Sequence, residues 1–204
     1  RGCHTAGIDI CPLAPGVTLD SFQLHDLNDD AFPADLARVD YVVMLDVIEH
    51  LQSPERFLDT FLAAAARNPK LRLIATTGNV GFVAVRLMLL LGQFNYGKRG
   101  ILDRTHTRLY TFATFRRLFE SSGFTVLELR GVPAPFPLAT GDGHLTRILT
   151  AVNRLLISVS RTLFSYQILA VVQPRPALAH LLESAAHASG QRAAGGTAAA
   201  RQQT

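Results

Sequence analysis

Val39-Asp-Tyr-Val-Val-Met-Leu-Asp46-Val-Ile-Glu49-His50-Leu51 is the stretch on which the reading of this chain turns. From Val39 to Leu45 it is a run of β-branched, aromatic and aliphatic side chains interrupted only by Asp40. Such continuity predicts a strand buried on both faces, as in the parallel sheet of an α/β domain. The run then meets three groups that carry charge or a proton: Asp46, Glu49 and His50. Ligands of open α/β sheets bind just beyond the carboxyl ends of the strands, so this is a candidate site. The competing reading is a capping acid beside a hydrogen-bonded histidine. If the turn is helical, Asp46 and Glu49 share a face at i, i+3, and Asp46 and His50 at i, i+4.

The flanking sequence alternates between strand and helix patterns. Ser53-Pro54 reads as a cap followed by a proline at the first helical position, with a helix over 54–67. Phe57, Leu58, Phe61, Leu62 and Ala65 form its apolar stripe. Strands are expected at 4–9, 22–26, 71–76, 124–132 and 166–172. Further helices are expected over 80–91, from a cap at Thr111 to Ser122, and over 145–163. This alternation predicts an α/β sheet. The domain is placed at 1–173, with residues 80–104 as a lid-like insertion. The composition changes from Pro174 and is dominated by Ala, Gly, Gln, Arg and Ser from Ser184 on, so 174–204 reads as a disordered tail.

Bulk properties narrow the function classes. At 48% hydrophobic and 18% charged, the 204 residues can bury a core. The two cysteines, Cys3 and Cys11, make neither a disulfide framework nor a zinc motif, so a cytoplasmic, reducing location is expected. A net charge of +4, spread along the chain with no Trp, argues against a dedicated nucleic-acid binder. No apolar run reaches the length of a bilayer span. Gly92-Gln-Phe-Asn-Tyr-Gly97-Lys98 has phosphate-loop spacing, but Arg99 stands where a Ser or Thr is required.

Asp9 and Asp26 each end an early strand. An acid in the first position can hold both hydroxyls of a ribose; one in the second can accept from an amino group of adenine, with the Leu27 backbone beside it. His106, in Asp103-Arg-Thr-His-Thr-Arg-Leu-Tyr-Thr111, gains interest only if the fold brings it near His50. In the 145–163 helix, Leu145, Ile148, Leu149, Val152, Leu155, Leu156 and Val159 share one broad face, and Arg147, Arg154 and Arg161 recur every seven residues. The expectation is that this apolar face packs on the sheet; the alternative is a basic amphipathic helix at a membrane surface.

Taken together, Asp9, His25-Asp26-Leu27, Asp40-Tyr-Val-Val, Asp46-Val-Ile-Glu-His-Leu51 and Thr105-His106-Thr-Arg108-Leu-Tyr-Thr111 resemble the class I S-adenosylmethionine-dependent methyltransferases. The likeness is strongest to the branch of ubiquinone-biosynthesis-type O-methyltransferases. It implies a Rossmann-like seven-stranded, mostly parallel sheet with an antiparallel last strand. It also implies that the first strand and the glycine loop lie outside this sequence, and that this chain alone folds poorly or is inactive. Asp9, Ile10, Asp26, Leu27 and Asp46 would line S-adenosylmethionine. His50 or His106 would act as the base, imidazole being the side chain that exchanges protons near neutral pH. Some relatives hold a divalent cation such as Mg with two acids and two histidines; Asp46, Glu49, His50 and His106 match that order, with Asp for the first Glu. The implied acceptor is a small molecule, a lipid-linked molecule or a sugar, methylated on oxygen. The alternative is a non-catalytic module that binds a membrane surface or a protein partner through the 80–92 and 145–163 helices.

Overall fold

The computed structural model describes residues 2–29, 31–137, 141 and 143–176; the tail expected over 174–204 lies outside the described residues from 177 onward. Its strands are β1 (Ala6–Asp9), β2 (Ser21–Leu24), β3 (Tyr41–Leu45), β4 (Arg72–Gly78), β5 (Phe124–Val132) and β6 (Gln167–Pro174). The helices are α1 (Pro54–Ala65), α2 (Val83–Leu90), α3 (Phe112–Ser121), α4 (His144–Val159) and the single turn α5 (Arg161–Phe164). A short 3-10 turn covers Ile48–His50. The expected elements are present, most with ends moved by a few residues, except that the helix expected over 145–163 is broken at Ser160 into α4 and α5.

The arrangement is α/β, but seven strands in one sheet are not found. β1 and β2 form a parallel pair, and the second sheet has the order β3-β4-β6-β5. β3 and β4 run parallel, while the last strand, β6, is antiparallel to both β4 and β5, as expected. The split arises because β1 and β3 each keep one edge that no described strand pairs with. β3 is not buried on both faces as expected, since one of its faces is open to solvent. Met44 is buried and Val42 half-buried, but Tyr41, Val43 and Leu45 stand 55%, 57% and 57% exposed.

The main core lies between the four-stranded sheet and helices α1 and α3. Phe61 is fully buried, with the rings of Phe32, Phe57 and Phe124 centred 5.3, 6.2 and 5.9 Å from its own. Phe115 and Phe119 continue this aromatic layer. The Phe57, Leu58, Phe61, Ala65 stripe of α1 is buried as expected. Ser53, however, makes no side-chain cap bond; Pro54 starts the helix through its fixed φ alone. Thr111 does cap α3, in a reciprocal pair with Thr114 that closes two orphan N–H groups. A smaller apolar cluster of Val85, Ile101 and Leu102 lies beyond the end of β4 and packs on Tyr166.

Helix α4 overturns the expectation made for it. Its polar side faces the protein and its apolar side faces out. Thr146 and Asn153 are buried at 5% and 7%, whereas Leu145, Ile148 and Leu155 are 60%, 60% and 67% exposed. Asn153 explains the inversion: its amide donates to the Phe164 carbonyl and accepts from the Ala134 N–H, both at 3.0 Å. A buried side chain that satisfies two backbone groups of neighbouring turns fixes which face is inward.

Candidate active site

Asp9, Asp26 and Asp46, singled out from the sequence, stand at or just past the carboxyl ends of β1, β2 and β3. Asp9 ends β1, and its Oδ1 accepts the Cys11 N–H at 2.8 Å in a tight turn. Oδ2 makes no hydrogen bond among the described residues, so one carboxylate oxygen is open to a ligand hydroxyl. Ile10, next in the chain, is 64% exposed. Asp26 follows β2 and accepts from the backbone and side chain of Asn28, both at 2.9 Å. The Asn28 side-chain Oδ1 in turn accepts the Gln52 N–H at 2.8 Å, tying the Asp26-Leu27 loop to the chain just past His50. A cavity of about 60 Å³ lies under this junction, lined by Leu27, Asn28, Gln52 and Phe57 among others. A larger one, near 240 Å³, is at the opposite end of the sheet beside Gly123 and Pro174, away from these residues.

Asp46 leaves β3 in the left-handed region, with φ +53°, the one described non-glycine residue there. Aspartate tolerates that region better than most side chains. Two neighbours hold it. The Thr76 hydroxyl accepts the Asp46 N–H at 3.0 Å and donates to Oδ1 at 2.9 Å, and the Gln167 amide donates to Oδ2 at 2.7 Å. This backbone reversal removes Asp46 from the following turn, so the i, i+3 and i, i+4 faces expected with Glu49 and His50 are not formed.

Glu49 and His50 point different ways. Glu49 is 2% exposed, and its Oε2 has no hydrogen-bond partner among the described residues. Burial raises its carboxyl above the ordinary range, and the Asp46 charge adds to the rise. His50 is exposed, and the fold brings His106 to it: the imidazole centroids are 4.8 Å apart, edge to face. The loop that carries His106 is stitched to the turn by Thr107. The Thr107 N–H and hydroxyl donate to the Glu49 carbonyl at 2.8 and 3.0 Å, and the hydroxyl also reaches the Leu51 carbonyl at 2.6 Å. Each imidazole sets Nδ1 against a backbone carbonyl, His50 at Thr105 (3.3 Å) and His106 at Ile101 (3.0 Å). With Nδ1 as donor in each, Nε2 is the basic nitrogen. Asp103 lies close to both rings; the N–H and hydroxyl of Thr105 hold its carboxyl below the usual range.

The divalent cation does not fit this arrangement. Among the described residues, no group of three or more His, Cys, Asp or Glu side chains is disposed to hold a metal ion. Asp46 spends both oxygens on Thr76 and Gln167, and Glu49 is turned inward.

Sequence reasoning missed Thr76, Thr107, Gln167 and Tyr166. Tyr166 stands close enough to Asp46 that, after burial, the aspartate charge is the next influence raising its phenol. Thr76-Thr77-Gly78-Asn79 at the end of a strand was the available signal, a polar cluster where β4 meets the same edge as β3.

A family model described as a methyltransferase domain matches residues 1–129. The chain belongs to the methyltransferase domain family. No curated protein matches the chain. Among solved structures it is similar to the small RNA methyltransferase HEN1, at 18% identity and a TM-score of 0.45, covering 77% of this chain and 16% of that one. It is also similar to a SAM-dependent methyltransferase from Archaeoglobus fulgidus, at 16% identity and a TM-score of 0.47, covering 83% and 75%. A third is the 1,6-didemethyltoxoflavin-N1-methyltransferase of Burkholderia thailandensis, solved with S-adenosylhomocysteine, at 10% identity and a TM-score of 0.48, covering 85% and 62%. The chain thus spans 16% of the length of the first of these proteins and 62% of the third.

Proposed function

We propose that this domain takes the methyl group of S-adenosylmethionine and transfers it to an acceptor at the edge formed by the carboxyl ends of β1 to β4. The observation that carries the reading is the adjacent pair His50 and His106 at the turn that follows β3 and Asp46, in a chain whose first 129 residues match the methyltransferase domain model. S-adenosylmethionine, when bound, supplies an electrophilic methyl on a positively charged sulfur.

The chain's own residues do the rest. Asp9 presents an open carboxylate oxygen to the ribose hydroxyls. Asp26, Leu27 and Ile10 border the adenine. Asp46, held by Thr76 and Gln167, sets a fixed negative charge toward the sulfonium end. An acceptor hydroxyl placed against Nε2 of His50 or His106 loses its proton to that nitrogen as its oxygen forms the bond to carbon. The bond from carbon to sulfur breaks in the same step, and its electron pair stays on sulfur. Positioning two reactants in line is the larger part of such catalysis. Acceptance by oxygen, on a small molecule, a lipid-linked molecule or a sugar, is the finer part of the proposal. It agrees with a base of this kind and with the resemblance of the sequence motifs to the ubiquinone-biosynthesis branch. Residues 80–104 serve as its lid: Ile101 touches both His106 and Tyr166.

The test is calorimetric titration of S-adenosylmethionine into the chain beside its Asp9→Ala variant. Micromolar binding that the variant loses is the expected result. A well-folded protein that takes up no S-adenosylmethionine overturns the reading. With binding in hand, His50→Ala and His106→Ala should each lower methyl transfer while leaving cofactor affinity within a few-fold.

A further inference from the structure

We propose that the outward face of α4 is a docking site for an anionic lipid surface. The inference stands apart from the methyl-transfer reading and rests on three observations. The first is the inversion of the helix. Asn153 and Thr146 hold one side to the protein, and Leu145, Ile148, Val152, Leu155 and Val159 project from the other with 49% to 76% of their surface open. These positions recur at three- and four-residue steps, so they form one stripe along a helix of 16 residues, roughly 24 Å long at 1.5 Å per residue. An apolar stripe of that length on a surface is an interaction site rather than scattered exposure.

The second observation is charge. Residues 143–176 contain no Asp or Glu, and neither do residues 79–102. Arg147 and Arg154, both exposed, lie one heptad apart at the border of the stripe. Arg161 does not join them, because it donates to the Leu129 carbonyl and lies over the Phe112 ring. A cationic border beside an apolar face is complementary to acyl chains beneath anionic headgroups. It opposes pairing with a second copy of the same face, which would bring arginines together.

The third observation is length. No helix among the described residues is long and apolar enough to cross a membrane, so α4 can lie in the interface but not span it. Helix α2 carries exposed apolar side chains of its own. Its N-terminal approach is fastened to α5 by Asn79, whose amide donates to the Thr162 and Ser165 carbonyls, and Leu90 and Leu91 at its far end are 81% and 75% exposed.

The experiment is flotation of the full chain with phosphatidylcholine vesicles, with and without phosphatidylglycerol. The protein should float with the anionic vesicles and stay behind with the neutral ones. Arg147→Ala with Arg154→Ala should weaken partitioning by roughly fivefold per arginine. Ile148→Ser with Leu155→Ser should abolish it at unchanged helicity and melting temperature, since both side chains are exposed. The arginine pair tests the idea independently if the serine pair alters folding. The proposal is overturned if wild-type protein ignores anionic vesicles, if both variant pairs float like wild type, or if the serine pair merely dissociates a self-associated form that never bound lipid.

Discussion

Asp46 offers a test of the site's construction that requires no knowledge of the acceptor. Its φ of +53° places an L-residue in the left-handed region, and its carboxylate takes hydrogen bonds of 2.9 and 2.7 Å from Thr76 and Gln167. Asp46→Ala removes both bonds and leaves a plain β-carbon in that region. The carboxylate is exposed, so each bond contributes about 0.5 kcal/mol, the low end for a net hydrogen bond. Strain adds roughly 1 kcal/mol for a side chain that cannot bond locally. The sum is about 2 kcal/mol for alanine and about 1 kcal/mol for glycine, which loses the bonds but not the conformational ease. Asp46→Asn keeps both advantages. Its carbonyl oxygen accepts from Thr76, and Gln167 reverses its amide to accept from the new NH₂; the change should lie within about 0.5 kcal/mol of wild type. For a chain of this size 1 kcal/mol moves the midpoint by about 2–4 °C. Thermal melts by circular dichroism should therefore rank wild type and Asp46→Asn together, then Asp46→Gly, then Asp46→Ala. Alanine as stable as glycine would refute the strain, and asparagine as unstable as alanine would refute the hydrogen-bond account.

Four further outcomes follow from the same geometry. Glu49→Gln should stabilise the protein above the ordinary glutamate range: burial raises the folded carboxyl, so the wild type loses stability as pH climbs through that raised value, and the advantage of the variant should vanish in acid below about 4.3; urea unfolding at acid and mildly alkaline pH reads it, and an equal difference at both contradicts it. Phe61→Ala empties the centre of the aromatic layer and should cost about 3–5 kcal/mol by urea unfolding. Asn153→Ala leaves the Phe164 carbonyl and the Ala134 N–H without their partner, and a loss of about 1–3 kcal/mol is expected, with α4 exchanging its amides faster. Thr107→Val strips the hydroxyl that reaches the Glu49 and Leu51 carbonyls, so the His106 ring should part from His50, seen as a change in both imidazole proton signals, while an unchanged pair would show that Thr107 does not position the loop.

Much of this was legible because it is local. The β3 strand, the stripe of α1 and the Thr111 start of α3 are each written within a dozen residues, and the structure forms all three, though with only one face of β3 covered. Asp46, Glu49 and His50 come directly after β3, so one correct strand was enough to put them at the sheet's edge. What the sequence hid was non-local. The hands that hold Asp46 come from Thr76 and Gln167, 30 and 121 residues away, and no spacing rule connects them. The same holds for His106, whose approach to His50 depends on backbone bonds between residues 107 and 49. The turn after β3 failed for a different reason. A left-handed residue ends a helical continuation at once, and nothing in Leu-Asp-Val announces that Asp46 rather than a glycine will adopt it.

Periodicity is also blind to sign, and α4 shows the consequence. The heptad-like recurrence of Leu145, Ile148, Val152, Leu155 and Val159 defines a face, yet it does not say on which side of that face the protein lies. Ordinarily burial of apolar area decides, at about 25 cal/mol for each Å². Here two polar side chains decide instead, because Asn153 and Thr146 close backbone groups that the turns at 134, 141 and 164 would otherwise leave unpaired. Rotating the helix to bury its leucines would expose those leucines' present solvent-facing area to the protein but strand the amide and its partners. The helix therefore keeps an apolar surface in water unless something else covers it. An exposed row also marks β3, where Tyr41, Val43 and Leu45 project from a strand with an unpaired edge. The two rows differ in what they can receive. The β3 row belongs to a sheet edge whose free N–H and C=O groups ask for another strand, whereas the backbone of α4 is satisfied within the helix and presents only side chains, which is the condition for lying in a lipid interface.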